Sequence, residues 1–318
     1  MDFALSDREQ ELWDAFGKFF AQESPTATVR AAEPGGFDAR VWSAAVGLGV
    51  PAMALPAADG GATFVELALL CELAGRALAP VPLVETLCCL RALSRVRDQA
   101  PAATAASVDA AVTAATAASA ASVDAAVTDL CAGAIGTVAL HPAAGGDGRQ
   151  MVPAGAVADI VLVAAGDALV LARAGDDRVQ SFPRVHGSSP VAAWDLRRRT
   201  GDTVLVEEGG EDIRRGARDE WKILTAASLM GLARRALEIG AEYATGRRAF
   251  GTPIGSFQGV AHPLADAATE IDGGTLLVRR AAWLVDQAAD EEAAHLARLA
   301  WGFCGPVATA TTARCVHI

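Results

Sequence analysis

The sequence predicts an α+β chain in which a small antiparallel β-domain lies between two helical domains. Three observations predict it: apolar residues recur at helical spacing near the start, short apolar runs separated by turn residues fill the middle, and long helical stripes return from about Ala217. At 318 residues, 52% hydrophobic and 20% charged, the chain is large and apolar enough to bury a sizeable core in two or three domains.

The first element is announced by Ser6-Asp7-Arg8-Glu9, a capping box in which serine and glutamate satisfy free N–H groups, after which Leu12, Phe16, Phe19 and Phe20 follow at helical spacing. A second helix is expected from Asp38 and a third from Phe64 to Leu78, the two separated by the Gly- and Pro-containing stretch Leu55 to Gly61. Between about 100 and 130 the chain turns Ala/Ser/Thr-rich and repeats AASVDAAVT, at Ala105 to Thr113 and again at Ala120 to Thr128. Two units are too few for a solenoid, so the stretch is expected as a local insertion.

Thr137 to Leu140, Ile160 to Ala165, Ala168 to Ala172 and Thr203 to Val206 read as strands, with turns at Gly166-Asp167 and Gly201-Asp202. Beyond them Ile223, Ala227, Met230, Leu237 and Ala241 form a helical stripe. The expected division is therefore 1–130, with the insertion at 100–130, then a β-domain over 131–215 and a C-terminal helical domain over 216–318. Inside that last domain Gly273-Gly274 interrupts a helical pattern, and a close approach to another subunit is the expected reason.

Composition excludes several classes of function. A net charge of −11 and a pI near 4.9 exclude a nucleic-acid binder that tracks phosphates with clustered Lys and Arg. The acidic start and the lack of a run of about 18 strongly apolar residues predict a cytoplasmic protein without membrane contact. Six cysteines show no C-x-x-C pair and five histidines are scattered, so no metal is expected.

Tyr243-Ala-Thr-Gly-Arg-Arg-Ala-Phe-Gly-Thr-Pro-Ile-Gly-Ser-Phe-Gln258, followed by His262-Pro-Leu-Ala-Asp266, carries more information. Local physics explains part of it, since Arg247 and Arg248 suit a helix C-terminus, Gly251 a helix cap and Pro253 a stop. It does not require Phe257-Gln258 at that spacing. The whole segment resembles the signature of the acyl-CoA dehydrogenase family, as do Val41 to Val50 and Glu72 to Pro80. The resemblance implies an N-terminal α-domain, a middle β-domain, a C-terminal helical bundle and FAD held between subunits. It implies that Arg247 pairs with the FAD diphosphate, that Phe250 and Phe257 pack near the adenosine, and that Gln258 hydrogen-bonds to it.

The departures point to a degenerate subunit. Where the family has Thr-Glu-Pro-Gly-Ala-Gly-Ser-Asp, this chain has Leu140-His141-Pro142 followed by Ala143 to Asp147. Where it has Trp-Ile-Thr, this chain has Met151-Val152-Pro153, and proline offers neither N–H nor hydroxyl. The sequence given stops at Ile318, before the family's Gly-Gly loop and one placement of its catalytic glutamate. The other placement counts back to Trp221, with Glu220 one residue, or about 100° of helix, away. No catalytic residue is therefore assigned, and Glu220 is read first as a charge near a helix N-terminus.

The resemblance thus implies a subunit of an FAD-dependent acyl-CoA dehydrogenase. Its partner would be a second, larger dehydrogenase subunit that holds the flavin ring and the base, in a heterotetramer of two unlike pairs. The implied substrate is an acyl-CoA, including a steroid-derived one, and the implied acceptor is of the electron-transfer flavoprotein type. Two alternatives stand beside it, a self-sufficient homotetramer using Glu220 and a flavin-free scaffold.

Overall fold

The computed structural model describes residues 3–104, 110–142, 149–175, 179–181, 189–197 and 201–318. The helices in chain order are α1 (Asp7–Glu23), α2 (Thr26–Ala32), α3 (Ala39–Gly47), α4 (Phe64–Arg76), α5 (Leu83–Thr104) and α6 (Ala110–Cys131). Among the described residues the strands that follow are β1 (Gly136–Val138), β2 (Arg149–Val152), β3 (Ile160–Ala165), β4 (Ala168–Arg173), β5 (Val179–Ser181), β6 (Ala192–Asp195) and β7 (Thr203–Val206). The chain then forms α7 (Gly210–Gly246), a short hairpin of β8 (Arg248–Ala249) and β9 (Thr252–Pro253), α8 (Gln258–Asp286) and α9 (Asp290–His317). The expected α+β order of helices, sheet and helices is the observed one.

Two compact units share these elements. The first comprises Met1–Thr26, Thr63–Ala79 and Lys222–Ile318. Helix α1 starts on the expected capping box, with Glu9 accepting from Ser6 N–H at 2.7 Å. Helix α4 has a second box, Thr63 with Glu66, and its first N–H groups also donate to Asp286, at 2.6 Å from Phe64 and 3.1 Å from Val65. A carboxylate there satisfies donors that the helix cannot and lies at the positive end of its dipole.

Helices α4 and α7 touch backbone to backbone. A Cβ added at Gly75 would lie 2.0 Å from the Ser228 carbonyl oxygen, and one at Gly231 would lie 1.9 Å from that of Glu72. Only glycine permits this crossing, which Ser228 Oγ reinforces by donating to Cys71 O at 3.1 Å. Gly274 has a similar reason within its own unit, because a Cβ there would meet Met230 Sδ at 2.4 Å and Cys304 Sγ at 3.2 Å. The expected subunit contact therefore does not explain Gly274. Gly273 is exposed, with open space where its Cβ would be.

The second unit comprises Ala27–Ala62 and Pro80–Trp221. Its strands make a four-stranded sheet in the order β1-β3-β4-β7 and a three-stranded sheet in the order β2-β6-β5. β3 and β4 form a hairpin through Gly166-Asp167, with φ of 67° at Gly166, which suits glycine at the first position of a two-residue turn. Trp42, Val161, Val163, Val170, Ala192 and Trp194 are buried together as its core. Each indole N–H finds a carbonyl, Trp42 on Gly133 at 2.7 Å and Trp194 on Gly155 at 2.8 Å.

Three features differ from the sequence reading. The β-domain is not wholly antiparallel, since β1 pairs parallel with β3. The chain enters β1 from α6 and reaches β3 only after β2, so β1 and β3 are not hairpin neighbours and can run in the same direction. Helix α2 and strands β2, β5 and β6 were not anticipated, being short and weakly patterned. The second copy of the duplicated motif lies in α6, which buries Val123, Ala126 and Leu130, while residues 105–109 of the first copy lie outside the described residues.

Candidate functional site

The signature segment forms one surface of the first unit, at the end of α7 and the start of α8. Arg247 directly follows α7, its N–H donating to Tyr243 O at 2.8 Å, and its carbonyl accepts from Ile254 N–H at 2.8 Å. These bonds fold the intervening residues into the β8–β9 hairpin, in which Arg248 faces Pro253 and Ala249 faces Thr252. The two turn residues are Phe250 and Gly251, with φ of 52° and 83°. Both positive values match a type I′ hairpin turn, so Gly251 is a turn glycine and not the helix cap expected from local sequence.

Glycine adopts that conformation freely, whereas for phenylalanine it is a strained outlier of order 1–3 kcal/mol. Phe250 is also 97% exposed. The fold thus holds a large aromatic ring outward in a conformation that its backbone disfavours. Phe257 stands beside it, the ring centroids 6.2 Å apart and edge to face at 87°. Gln258 opens α8 and is exposed, as is Arg247, which has no carboxylate within ion-pair distance among the described residues. The structure therefore gathers all four expected residues on one surface.

Glu220 lies elsewhere, in the second unit. It is not near a helix start, since α7 begins at Gly210, and its side chain is buried. Oε1 accepts from Arg91 Nε at 2.9 Å and Nη2 at 2.7 Å, and also from Arg95 Nη2. Oε2 is buried without a partner among the described residues. Burial pushes this carboxyl up, but the charges of Arg91 and Arg95 and their hydrogen bonds outweigh burial and hold it below its ordinary value. A carboxylate clamped in this way is a poor base.

Trp221, the residue reached by the family count, donates from Nε1 to Glu85 Oε1 at 3.3 Å. Glu85 is in the first turn of α5, and burial pushes its carboxyl up against the smaller opposing effects of its own backbone N–H and the indole. Neither Glu85 nor the Arg91–Arg95 pair was anticipated. Arg91 and Arg95 are four apart on α5, but nothing local shows that they meet a carboxylate far along the chain.

In the β-domain, Met151 is 48% exposed on β2 opposite Ala193, and Pro153 follows the strand. His141 and Gln150 flank residues 143–148, with Gln150 Nε2 donating to His141 O at 3.3 Å. Ala143 to Asp147 themselves lie outside the described residues. Cys71, Cys88, Cys89 and Cys304 are buried and form no disulfide. No group of three or more metal-ligating side chains occurs among the described residues, and no helix there is long and apolar enough to cross a membrane.

This helix–sheet–helix fold with an Arg-x-x-Phe-Gly hairpin defines the class, and sequence comparison agrees. Residues 6–100 match the acyl-CoA dehydrogenase N-terminal domain and residues 216–318 the C-terminal domain. The chain belongs to the acyl-CoA dehydrogenase family, oxidoreductases that act on CH–CH bonds and use FAD. It is 31% identical to acyl-CoA dehydrogenase IpdE2 of Mycobacterium tuberculosis over 267 residues, covering 82% of this chain and 71% of that protein. A shorter stretch of 81 residues, 25% of this chain and 22% of the relative, is 46% identical to benzylmalonyl-CoA dehydrogenase of Aromatoleum aromaticum. Among solved structures, the ChsE4-ChsE5 complex from Mycobacterium tuberculosis is similar in fold, with a TM-score of 0.77, 23% identity and coverage of 99% of this chain and 88% of that one. So is the Tcur3481-Tcur3483 steroid ACAD G363A variant, with a TM-score of 0.76, 23% identity and coverage of 98% and 86%.

FAD has two halves with different chemical demands. A diphosphate needs directed cationic donors and an adenosine needs flat apolar surface with a hydrogen-bonding edge. Arg247, Phe250, Phe257 and Gln258 have that chemistry, are exposed, and lie on one surface. A flavin ring needs N–H and hydroxyl donors beside a flat wall. Pro153 has no N–H and no hydroxyl, and Met151 has no hydroxyl and no flat ring.

Proposed function

We propose that this chain is one subunit of a heteromeric acyl-CoA dehydrogenase, lending an adenosine-diphosphate surface to an FAD whose ring is held by a larger, unlike subunit. The observation that carries this reading is Phe250, strained and 97% exposed in the hairpin that opens after the exposed, unpaired Arg247. An aromatic held outward against its backbone preference is explained when something covers it. Arg247 would hold the diphosphate, Phe250 and Phe257 would pack against the adenosine, and Gln258 would hydrogen-bond its polar edge.

When bound, FAD would supply the hydride acceptor for α,β-dehydrogenation of an acyl-CoA thioester to a trans-2-enoyl-CoA. This chain's own residues orient the cofactor and leave proton removal to the partner, because Glu220 is committed to Arg91 and Arg95. That commitment counts against a self-sufficient enzyme using Glu220. The free Arg247 and exposed Phe250 count against a flavin-free scaffold.

Two structural relatives support unlike subunits, one described as a ChsE4-ChsE5 complex and the other as a Tcur3481-Tcur3483 steroid ACAD. By analogy with the second of these the acyl group would be steroid-derived, while the sequence and its family resemblance imply an acceptor of the electron-transfer flavoprotein type, a heterotetramer and a cytoplasmic location. The test is cofactor loading. The chain purified alone should carry little FAD and assemble poorly, whereas co-expression with its partner should give a yellow complex. Near one FAD per chain in the isolated protein would overturn the proposal.

A further inference from the structure

Tyr243 is the only tyrosine of the chain, and the roles assigned above leave it unused. It stands in the last turn of α7, four residues before Arg247, and the Arg247 N–H bond to its carbonyl carries helical geometry through that interval. Residues four apart on a helix project from the same face, about 5–6 Å between Cβ atoms. Tyr243 is 51% exposed, and Ile239, one turn earlier on that face, is 52% exposed. The phenol oxygen has no hydrogen-bond partner among the described residues. An exposed ring ending in an O–H donor thus stands one helical turn before the unpaired Arg247, on the same face.

We propose that Tyr243 is a further binding residue for the adenosine diphosphate group, its phenol donating to a diphosphate or ribose oxygen beside Arg247. The inference rests on the reading of the Arg247 surface given above. The chemistry suits the group, because diphosphate and ribose oxygens are acceptors and a phenol is a directed donor with little conformational freedom to lose. Ile239, exposed one turn earlier on the same face, adds apolar surface beside the phenol.

A single tyrosine allows a direct test. The chain labelled with 3-fluorotyrosine and assembled with its unlabelled partner has one 19F resonance, which is followed as FAD is removed and titrated back. FAD affinity is measured in parallel for Tyr243→Phe and Arg247→Ala, with assembly checked by light scattering. The resonance should shift on FAD addition to the preformed complex, and Tyr243→Phe should weaken FAD roughly three- to tenfold with assembly unchanged. A resonance that moves only when the partner binds, with normal FAD affinity in Tyr243→Phe, makes Tyr243 a subunit contact and overturns the inference. So does a resonance that moves with neither addition. If Arg247→Ala alone weakens FAD, only the Tyr243 role fails; if neither variant does, the reading of the whole surface fails with it.

Discussion

Arg247, Phe250, Phe257 and Gln258 are all exposed, so substituting them changes what the surface can hold without opening the core. Arg247→Ala removes charge-assisted hydrogen bonds and should weaken FAD retention by the complex roughly ten- to a hundredfold. Turnover should recover in part when FAD is supplied in excess, which separates lost binding from lost chemistry. Glu220 should behave in the opposite way. Glu220→Gln leaves Arg91 and Arg95 without their buried counter-charge, and breaking such a pair costs on the order of 3–5 kcal/mol. The melting temperature of the variant should fall, while flavin bleaching in a single turnover of the folded, FAD-saturated complex should stay near normal.

A loss of bleaching of a hundredfold or more with normal FAD content would make Glu220 the base after all. The pH dependence of stability gives the same residue a second signature. Its folded pKa lies below the ordinary 4.5, so its ion pairs stabilise the fold above that pH and are lost as pH falls through the folded value. Acid unfolding of the wild type should therefore include a component in that window that Glu220→Gln lacks.

Among the helices, α8 carries the clearest test of what lies outside the chain. Gly273 and Gly274 are adjacent in sequence but differ in surroundings, since Gly274 is packed against Met230 and Cys304 while Gly273 faces open space. Gly273→Ala should stabilise the isolated chain by up to about 1 kcal/mol, the ordinary gain of alanine over glycine in a helix. If another subunit approaches that face closely, the same substitution should weaken assembly, read as faster dissociation on dilution. A gain in both stability and assembly would show that nothing packs there. Leu276, exposed three residues further along the same helix and so on the same face, makes a covered face the expected outcome.

For the whole molecule, the proposal is a division of labour between unlike chains. It predicts that light scattering of the co-expressed complex gives a mass matching two unlike pairs, with FAD bound only in the assembly. A stable monomer in the presence of the partner would refute it. Substituting residues on the β-domain of this chain, Met151 among them, should alter FAD content little, because the flavin ring would lie against the other subunit.

Much of this architecture was legible in the sequence, for reasons tied to particular residues. Ser6 with Glu9, and Asp38 at the start of α3, satisfy helix N–H groups from positions close in sequence, so local pattern was enough to place those starts. β3 and the β3–β4 turn were equally plain, from a continuous apolar run broken by Gly166-Asp167. The Arg247-to-Gln258 surface was found because its residues are close in sequence and their spacing matches a family signature. Sequence alone therefore determined the family, the helix–sheet–helix order and the candidate cofactor surface. Tertiary structure decided the parallel pairing of β1 with β3, the backbone crossing at Gly75 and Gly231, and the fate of Glu220. Each depends on groups brought together from distant positions, as when Arg91 and Arg95 of α5 meet a carboxylate on α7 and turn a candidate base into a buried counter-ion. Local propensity has no access to such pairings, because their energy exists only once the chain has closed on itself.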